Sequence, residues 1–452
     1  MAKNEEFMRL EALIEGKEII ALRDALAEMN AVDIAEFIEE LPIEQALLVF
    51  RMLNKETALH AFSHFDDEMQ QSIISAITDQ EVAALMKNLW LDDTVDMLEE
   101  MPATLVKKVL RNSSHETRER INQYLHYPES SAGRVMTAEY VDLKKDMTVA
   151  EALLRVKQLG QSAETVYTCF VTDASRVLES SLPLKDLLFA RDDQRVSELI
   201  SADPIYTTTT TDQEEAARLM LKYNLLSLPV VDGEKRLVGI ITVDDAVDVL
   251  IEEETEDFER MAAVRPSETP YTKTTAFTLA RNRLPWLVIS LLTNILISFV
   301  VGLYEPVYLA MPILVSFMPM LMGTGGNAGS QTSTLVIRGM AVGEIALGDF
   351  GRVLWKETRV CLALGLVLGA VNFARIALLG EGPAQLELAM VVSVSLVCGM
   401  LVGKTTGAAL PMLAKALRID PALMASPLIT TIVDIMAVAV FFSLSNVVFS
   451  LA

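Results

Sequence analysis

The residues with the most chemical content lie in the most apolar part of the chain. Asp434, in Thr430-Thr-Ile-Val-Asp-Ile-Met436, falls within an apolar run at 423–449 that holds no basic residue to neutralise it. It follows Pro421 by about 13 residues, roughly 20 Å at helical rise, which would bring a carboxylate near mid-bilayer. An ionisable group at that depth is costly and is usually functional. It could be a protonated or hydrogen-bonded structural Asp. The alternative is a carboxylate that faces a wet path and binds a cation, paired across a two-fold axis if the chain dimerises. Asp420, just before Pro421, reads either as a helix N-cap or as an acid drawing cations to the inner mouth. A second polar stretch, Gly323-Thr-Gly-Gly-Asn-Ala-Gly-Ser-Gln331, follows Pro312 and Pro319. Its glycines either let backbones approach closely or break the helix so that carbonyls face a cavity. Asn327 and Gln331 add side-chain oxygens and favour a pore lining. All four histidines (His60, His64, His115, His126) lie outside the apolar runs. Soft sulfur and imidazole ligands are thus sparse there, and carboxylate, amide and carbonyl oxygens suit hard cations such as Mg2+, though this chemistry alone does not separate Mg2+ from Ca2+ or Mn2+.

The elements that must carry these residues are legible in the charge map. Of 38 Lys and Arg and 61 Asp and Glu in the 452-residue chain, 11 and 8 lie from Tyr271 onward. That leaves 27 and 53 before it, a net charge of −26 on the first part. An acidic soluble half is thus joined to an apolar one. The acidic half repels nucleic acid, and its surface suits cations. Five apolar segments follow Arg283, at 284–304, 308–337, 359–379, 386–413 and 423–449, each with the ~20 residues needed to span a bilayer. Arg281 and Arg283 precede the first. Arg338, Arg352, Lys356 and Arg359 lie between the second and third, and Lys415 and Arg418 between the fourth and fifth. The turns 304–308 and 380–387 carry no basic residue. By the positive-inside rule the soluble half is cytoplasmic and the C-terminus outside. Lys404, near or inside the fourth span, has no partner visible in sequence. The three cysteines are scattered and imply no disulfide framework or zinc site. The first ten residues run into a charged helical pattern and lack a signal-peptide core.

The acidic half divides by pattern. Residues 1–128 have helical periodicity only, with an echo of Asp33-Ile-Ala-Glu-Phe-Ile-Glu-Glu-Leu-Pro42 in Asp93-Thr-Val-Asp-Met-Leu-Glu-Glu-Met-Pro102. Short amphipathic helices ending at Pro predict a small superhelical solenoid. Residues 129–250 alternate strand-like and helical runs and repeat at a spacing of 64, Val135-Met-Thr-Ala and Thr148 aligning with Leu199-Ile-Ser-Ala and Asp212. The segment Leu228-Pro-Val-Val-Asp-Gly…Arg236-Leu-Val-Gly-Ile-Ile-Thr-Val-Asp-Asp-Ala resembles the CBS module, which works in pairs. In the first copy Glu179 stands near the place of Gly239. An acidic helical run follows at 246–265, ended by Pro266 and Pro270.

Three motifs together resemble the MgtE magnesium channels: Gly325-Gly-Asn-Ala-Gly-Ser-Gln331, Asp420-Pro-Ala…Thr430-Thr-Ile-Val-Asp434, and His126-Tyr-Pro-Glu-Ser-Ser-Ala-Gly-Arg-Val-Met-Thr137. The order of domains is similar too. The resemblance implies a multidomain membrane protein: an all-α superhelical N domain (1–128), α+β tandem CBS domains (129–250), an acidic connecting plug helix and linker (251–275), and a five-helix transmembrane domain (276–452). It implies an inner-membrane homodimer, embedded in lipid, that takes up Mg2+ and is closed by cytosolic Mg2+. Asp434 would be the selecting aspartate, with Asn327 nearby and Asp420 at the cytoplasmic mouth. Regulatory Mg2+ would be held by Asp92, Asp96, Asp212, Glu214, Asp245, Asp248, Glu253, Glu256 and Asp257. Asn224, where an acid is expected, and Ala437, where glycine is usual, depart from the pattern. A carrier of broader specificity, for Co2+ or Mn2+, is the alternative. Whether ATP binds the CBS pair is left open by the sequence. An enzyme is disfavoured, since no HExxH, GxSxG or phosphate loop occurs.

Overall fold

The computed structural model describes residues 2–200, 203–267, 271, 272, 274–379, 384–424 and 426–450. Ser201 and Ala202 of the repeat, Pro270 as a helix stop, and 380–383 of the last turn without a basic residue lie outside the described residues. The chain forms two compact units, Met1–Ile251 and Glu252–Ala452.

In the first unit the helical periodicity becomes short helices: α1 (Ala2–Glu15), α2 (Ile19–Ala27), α3 (Ala31–Glu39), α4 (Ile43–Met52), α5 (Lys55–Ser63), α6 (Asp67–Ala76), α7 (Asp79–Met86), α8 (Leu91–Glu99), α9 (Ala103–Asn112) and α10 (His115–Tyr124). Asn30, Asn54, Asp66, Thr78 and Ser114 each accept a backbone N–H at the start of α3, α5, α6, α7 and α10. These caps satisfy donors that such short helices could not satisfy internally. The sequence echo is α3 and α8. The first buries Ile34, Phe37 and Ile38, and the second Val95, Met97 and Leu98. Pro42 and Pro102 stand at the N-caps of α4 and α9, so they open the next helix rather than end the previous one. Outside a helix the missing N–H of proline costs nothing. α3 packs on α5, α4 on α6, α7 on α9 and α8 on α10. Alternate neighbours in contact are the packing of a solenoid.

Two similar modules follow. After α11 (Ala132–Val135), the first contains β1 (Asp142–Leu143), α12 (Val149–Leu159), β2 (Thr168–Thr172), β3 (Leu178–Pro183) and α13 (Leu184–Phe189). The second contains β4 (Thr207–Thr208), α14 (Gln213–Tyr223), β5 (Ser227–Val231), β6 (Leu237–Thr242) and α15 (Val243–Met261). Each sheet joins a parallel pair across a helix to an antiparallel hairpin, in the orders β1-β2-β3 and β4-β5-β6. The 64-residue repeat is seen in the caps, with Thr148 starting α12 and Asp212 starting α14. Gly239 pairs with Val230, and a Cβ there would lie 2.6 Å from Met136 Sδ. The backbones of Thr137 and Ile240 exchange hydrogen bonds of 2.7 and 2.8 Å beside it. In the first copy the matching residue, opposite Val171, is Ser180 rather than the adjacent Glu179.

α15 leaves β6 without a break and carries the acidic run. It stops well before Pro266. Ala263 takes a left-handed conformation (φ 57°), and the Val264 and Ala263 N–H groups bond the Glu259 and Arg260 carbonyls at 2.9 Å each. That is a Schellman closure made without proline.

The second unit is a helical bundle. α16 (Ala276–Leu303), α17 (Glu305–Ala310), α18 (Met318–Ala341), α19 (Phe350–Leu379), α20 (Gln385–Ala416) and α21 (Ser426–Phe449) follow in order. Among the described residues four helices are long and apolar enough to cross a membrane: Ala276–Leu303, Leu347–Leu379, Gln385–Ala416 and Pro427–Phe449. The expected span at 308–337 is not one segment. It is broken at Met311 and by a 3-10 turn, Pro312–Phe317, before α18 begins. α18 has 24 residues, about 36 Å at helical rise, but its Gly, Ser, Thr, Asn and Gln content keeps it out of the apolar set. α19 begins nine residues before the apolar run at 359, because Arg352, Lys356 and Glu357 are good helix formers that hydropathy alone reads as loop. α16 leaves nearly all its apolar side chains exposed. α20 is more than half buried and is the centre of the bundle.

Candidate functional site

The glycine-rich stretch is an unbroken part of α18, so close approach rather than helix breakage is its purpose. A Cβ on Gly325 would lie 2.8 Å from Val433 Cγ1 and 3.3 Å from Gly399 O. On Gly329 it would lie 2.7 Å from Ile429 Cγ2 and 3.0 Å from Gly403 O. Gly403 and Gly407 of α20 face the carbonyls of Gly325 and Gly329 in return. The backbones of α18 and α20 therefore touch over successive turns, with α21 against the same stretch through Thr430 and Gly326.

This packing sorts the polar residues of α18. Gly325, Gly329, Thr332 and Val336 are buried, while Asn327, Gln331 and Arg338 share the exposed edge. Asn327 follows Gly326, which meets Thr430, and Asp434 is one turn beyond Thr430 on α21. The two residues thus lie along adjoining edges of packed helices. Asp434 is half-buried, and among the described residues its carboxylate has neither an ion pair nor a hydrogen bond. Ala437 is buried one turn from Val433 in the α18–α20–α21 packing, and a Cβ on Gly399 would lie 3.5 Å from its own.

Lys404 has a partner that sequence reading misses. Its buried ammonium lies 3.0 Å from Glu357 Oε2 and 3.2 Å from Thr332 Oγ1, and the Thr332 hydroxyl donates to the same Glu357 oxygen at 2.8 Å. No spacing rule links positions 47 apart on different helices.

At the foot of the bundle Asp420 caps the turn that follows it and pairs with an arginine. Oδ1 accepts the Ala422 N–H at 2.8 Å, and Oδ2 is 2.5 Å from the Arg260 guanidinium. Arg260 also pairs with Glu256. Partial burial pushes the Glu256 carboxyl up; Arg260 opposes this, while Glu253, Asp420 and Asp257 add to it. Glu253, Glu256, Asp257 and Asp420 therefore share one field around a single guanidinium. Glu254 pairs with Arg338 at 3.2 Å.

In the first unit α8 and the start of α15 bring another group of acids together. Burial, then Asp93, Asp245 and Glu164, hold the Asp92 carboxyl well above the usual carboxylate range. Burial and neighbouring acids raise Asp93 and Asp245 to about 6 and Glu164 to about 7, with Asp244 acting on all three and Asp248 on Asp245. Of the predicted residues, Asp92, Asp245 and Asp248 meet here; Asp93, Asp244 and Glu164 were missed. Asp93 stands in the helix echo, where spacing does not reveal its neighbours, and Glu164 is in a loop without pattern. Asp96 lies near Arg134, which binds Glu99. Asp212 and Glu214 are elsewhere: Asp212 accepts the N–H groups of Glu214 and Glu215 at the start of α14, and Glu214 pairs with Arg218. Asn224 ends α14 in a left-handed conformation (φ 52°, ψ 47°), a place that favours Asn and explains the missing acid. Among the described residues no three His, Cys, Asp or Glu side chains are arranged to grip a metal directly.

The fold and site define a polytopic membrane protein with an acidic, CBS-containing soluble half. A family model described as MgtE, a divalent cation transporter, matches 318–444; the MgtE intracellular N domain matches 29–130, and the CBS domain 196–252. The chain is 37% identical over 442 residues to the magnesium transporter MgtE of Thermus thermophilus, covering 96% of each. It is 30% identical to the magnesium transporter MgtE of Bacillus subtilis, covering 99% of this chain and 98% of that one. A crystal structure of the cytosolic domain of the Mg2+ channel MgtE in complex with ATP is 35% identical and covers 54% of this chain and 99% of its own, with a TM-score of 0.52. The chain belongs to the MgtE family.

Proposed function

We propose that this protein is a Mg2+ channel for magnesium uptake, working as an inner-membrane homodimer with its soluble half in the cytoplasm and its C-terminus outside. The observation that carries the reading is Asp434: a carboxylate among spanning helices, with no ion pair or hydrogen bond among the described residues, on α21, which packs against α18 at Gly326, the neighbour of Asn327. A carboxylate so placed is tolerated where water and a cation accompany it. A second copy would complete the wall that the exposed edge lacks. Leu221 on α14, Leu226 in the turn after it, and Val243 and Val247 on α15 leave an apolar patch that also fits a second copy. The functional units are 1–128, 129–250, 251–275 and 276–452, and the likeness to transporters by name argues against an enzyme.

Closure by cytosolic Mg2+ follows from electrostatics. The carboxyls of Asp92, Asp93, Asp245 and Glu164 repel one another when ionised, as do Glu253, Glu256, Asp257 and Asp420 around Arg260. Carboxylate oxygens suit Mg2+, which keeps much of its water and needs few direct ligands. Such an ion supplies positive charge between acidic faces, so it favours the compact, closed arrangement. Moving such an equilibrium from mostly open to mostly closed takes about 5 kcal/mol of differential binding, within reach of several weak sites. Asp96, Asp212, Glu214 and Asp248 are further candidates for such sites, and ATP at the CBS pair is proposed by likeness to the solved cytosolic domain.

The test is Mg2+ flux into liposomes by the native chain and by Asp434→Asn side by side, with Ca2+, Mn2+ and Co2+ as competitors. Native flux that is lost on substitution is expected. Equal flux from both would end the assignment of Asp434, and equal competition by all metals would favour the broader carrier.

A further inference from the structure

Lys404 and Glu357 form an ion pair within the bundle that the permeation path proposed above does not use. Both side chains are largely buried, at 5% and 14% exposure. Removing two charges from water is costly, and an apolar pair of similar volume would often be as stable. Stability alone is therefore a weak reason for the pair. Its geometry offers a better one. Thr332, fully buried, is the third member, bonding Glu357 Oε2 at 2.8 Å and lying 3.2 Å from the ammonium. The three residues come from α18, α19 and α20, so the cluster ties three helices at one level.

That level is set by the glycine seam. Thr332 is three residues beyond Gly329, and Lys404 directly follows Gly403, the residue facing Gly325 O and Gly329 N. Between α18 and α20 glycine faces glycine, so no side chains interlock there and directional contacts beside the seam are what fix its register. Along the same stretch α18 also meets α21 at Ile429, Thr430 and Val433, next to Asp434. Gln331 adjoins Thr332 on the same helix, and Asn327 lies within a turn and a half of it. A shift of α18 along the seam would therefore move Asn327 and Gln331 relative to Asp434.

We infer that the Lys404–Glu357–Thr332 cluster is a positioning device that fixes the register of α18 on α19 and α20, and so sets the spacing of the polar edge of α18 from Asp434. It acts through α18 and touches no permeating ion. Directional bonds to a charged pair specify one register where apolar contacts would allow several. This rests on the Mg2+ channel reading.

The experiment is flux of Mg2+ and of Ca2+ into liposomes per folded protein, with unfolding midpoints in detergent, for the native full chain, Glu357→Gln, Lys404→Met, Thr332→Val, Thr332→Ser and the apolar double variant Glu357→Leu with Lys404→Met. Thr332→Val, nearly isosteric, is expected to lower Mg2+ flux about tenfold and to shift the Mg2+ to Ca2+ ratio several-fold, while the midpoint changes little. Thr332→Ser, which restores the hydroxyl, should recover much of both. The double variant is expected to fold but to keep the altered ratio. A double variant with native flux and ratio would show charge compensation only and overturn the inference, as would unchanged ratios in every folded single variant. Absence of flux from the native chain would instead overturn the channel reading.

Discussion

Replacing Asp245 by Asn tests whether the acidic faces of the soluble half are strained by their own charge. Asp245 rises from 3.8 to about 6, with burial the first cause and Asp244 and Asp248 adding to it. Two units at about 1.4 kcal/mol each give roughly 3 kcal/mol against the ionised form at neutral pH. The side chain keeps some contact with solvent, and screening reduces this to about 1.5 kcal/mol. Asn keeps an acceptor for the Thr242 hydroxyl that Asp245 Oδ2 now binds. The substitution should therefore stabilise the Mg2+-free protein, the reverse of the usual effect of changing a part-buried polar residue. The readout is hydrogen exchange of the full chain in detergent at α8 and the first turns of α15, where 1.4 kcal/mol is about tenfold in protection. The pH dependence follows from the same shifts. Asp93, Asp245 and Glu164 hold protons to about pH 6–7 when folded and release them near 4 when unfolded. Over that interval the folded state binds more protons, so protection falls as pH rises from about 5 to 7. Mg2+ should restore it more at pH 7.5 than at pH 5.5, and less in Asp245→Asn. Faster exchange in the variant without Mg2+, or equal protection by Mg2+ at both pH values, would refute the reasoning.

Two further outcomes are expected. Gly329→Ala puts a methyl within 3.0 Å of Gly403 O and should cost about 1–3 kcal/mol in detergent unfolding, whereas Gly323→Ala, with nothing within 4 Å, should cost nothing. Neutralising Glu253, Glu256 and Asp257 together should leave single channels open at high cytosolic Mg2+, and unchanged closure would count against the gating proposal.

The sequence alone determined the large features. Net charge and hydropathy separated the acidic half from the bundle, periodicity found the solenoid, and the 64-residue repeat found the paired modules with Thr148 and Asp212 as their caps. These are local or compositional signals, carried by spacing along one chain. Asp434 stands out as a candidate because a lone acid in an apolar run is conspicuous without any fold. Tertiary structure alone decided the rest. Glycines could have meant a break or a seam, and only the opposing Gly403 and Gly407 of α20 made them a seam. Lys404 found Glu357 and Thr332 on two other helices, and Asp92 found Asp245 and Glu164 on segments far along the chain. Charge acts across space at a few ångströms, and which residues come that close is fixed by packing, which spacing along the chain does not encode.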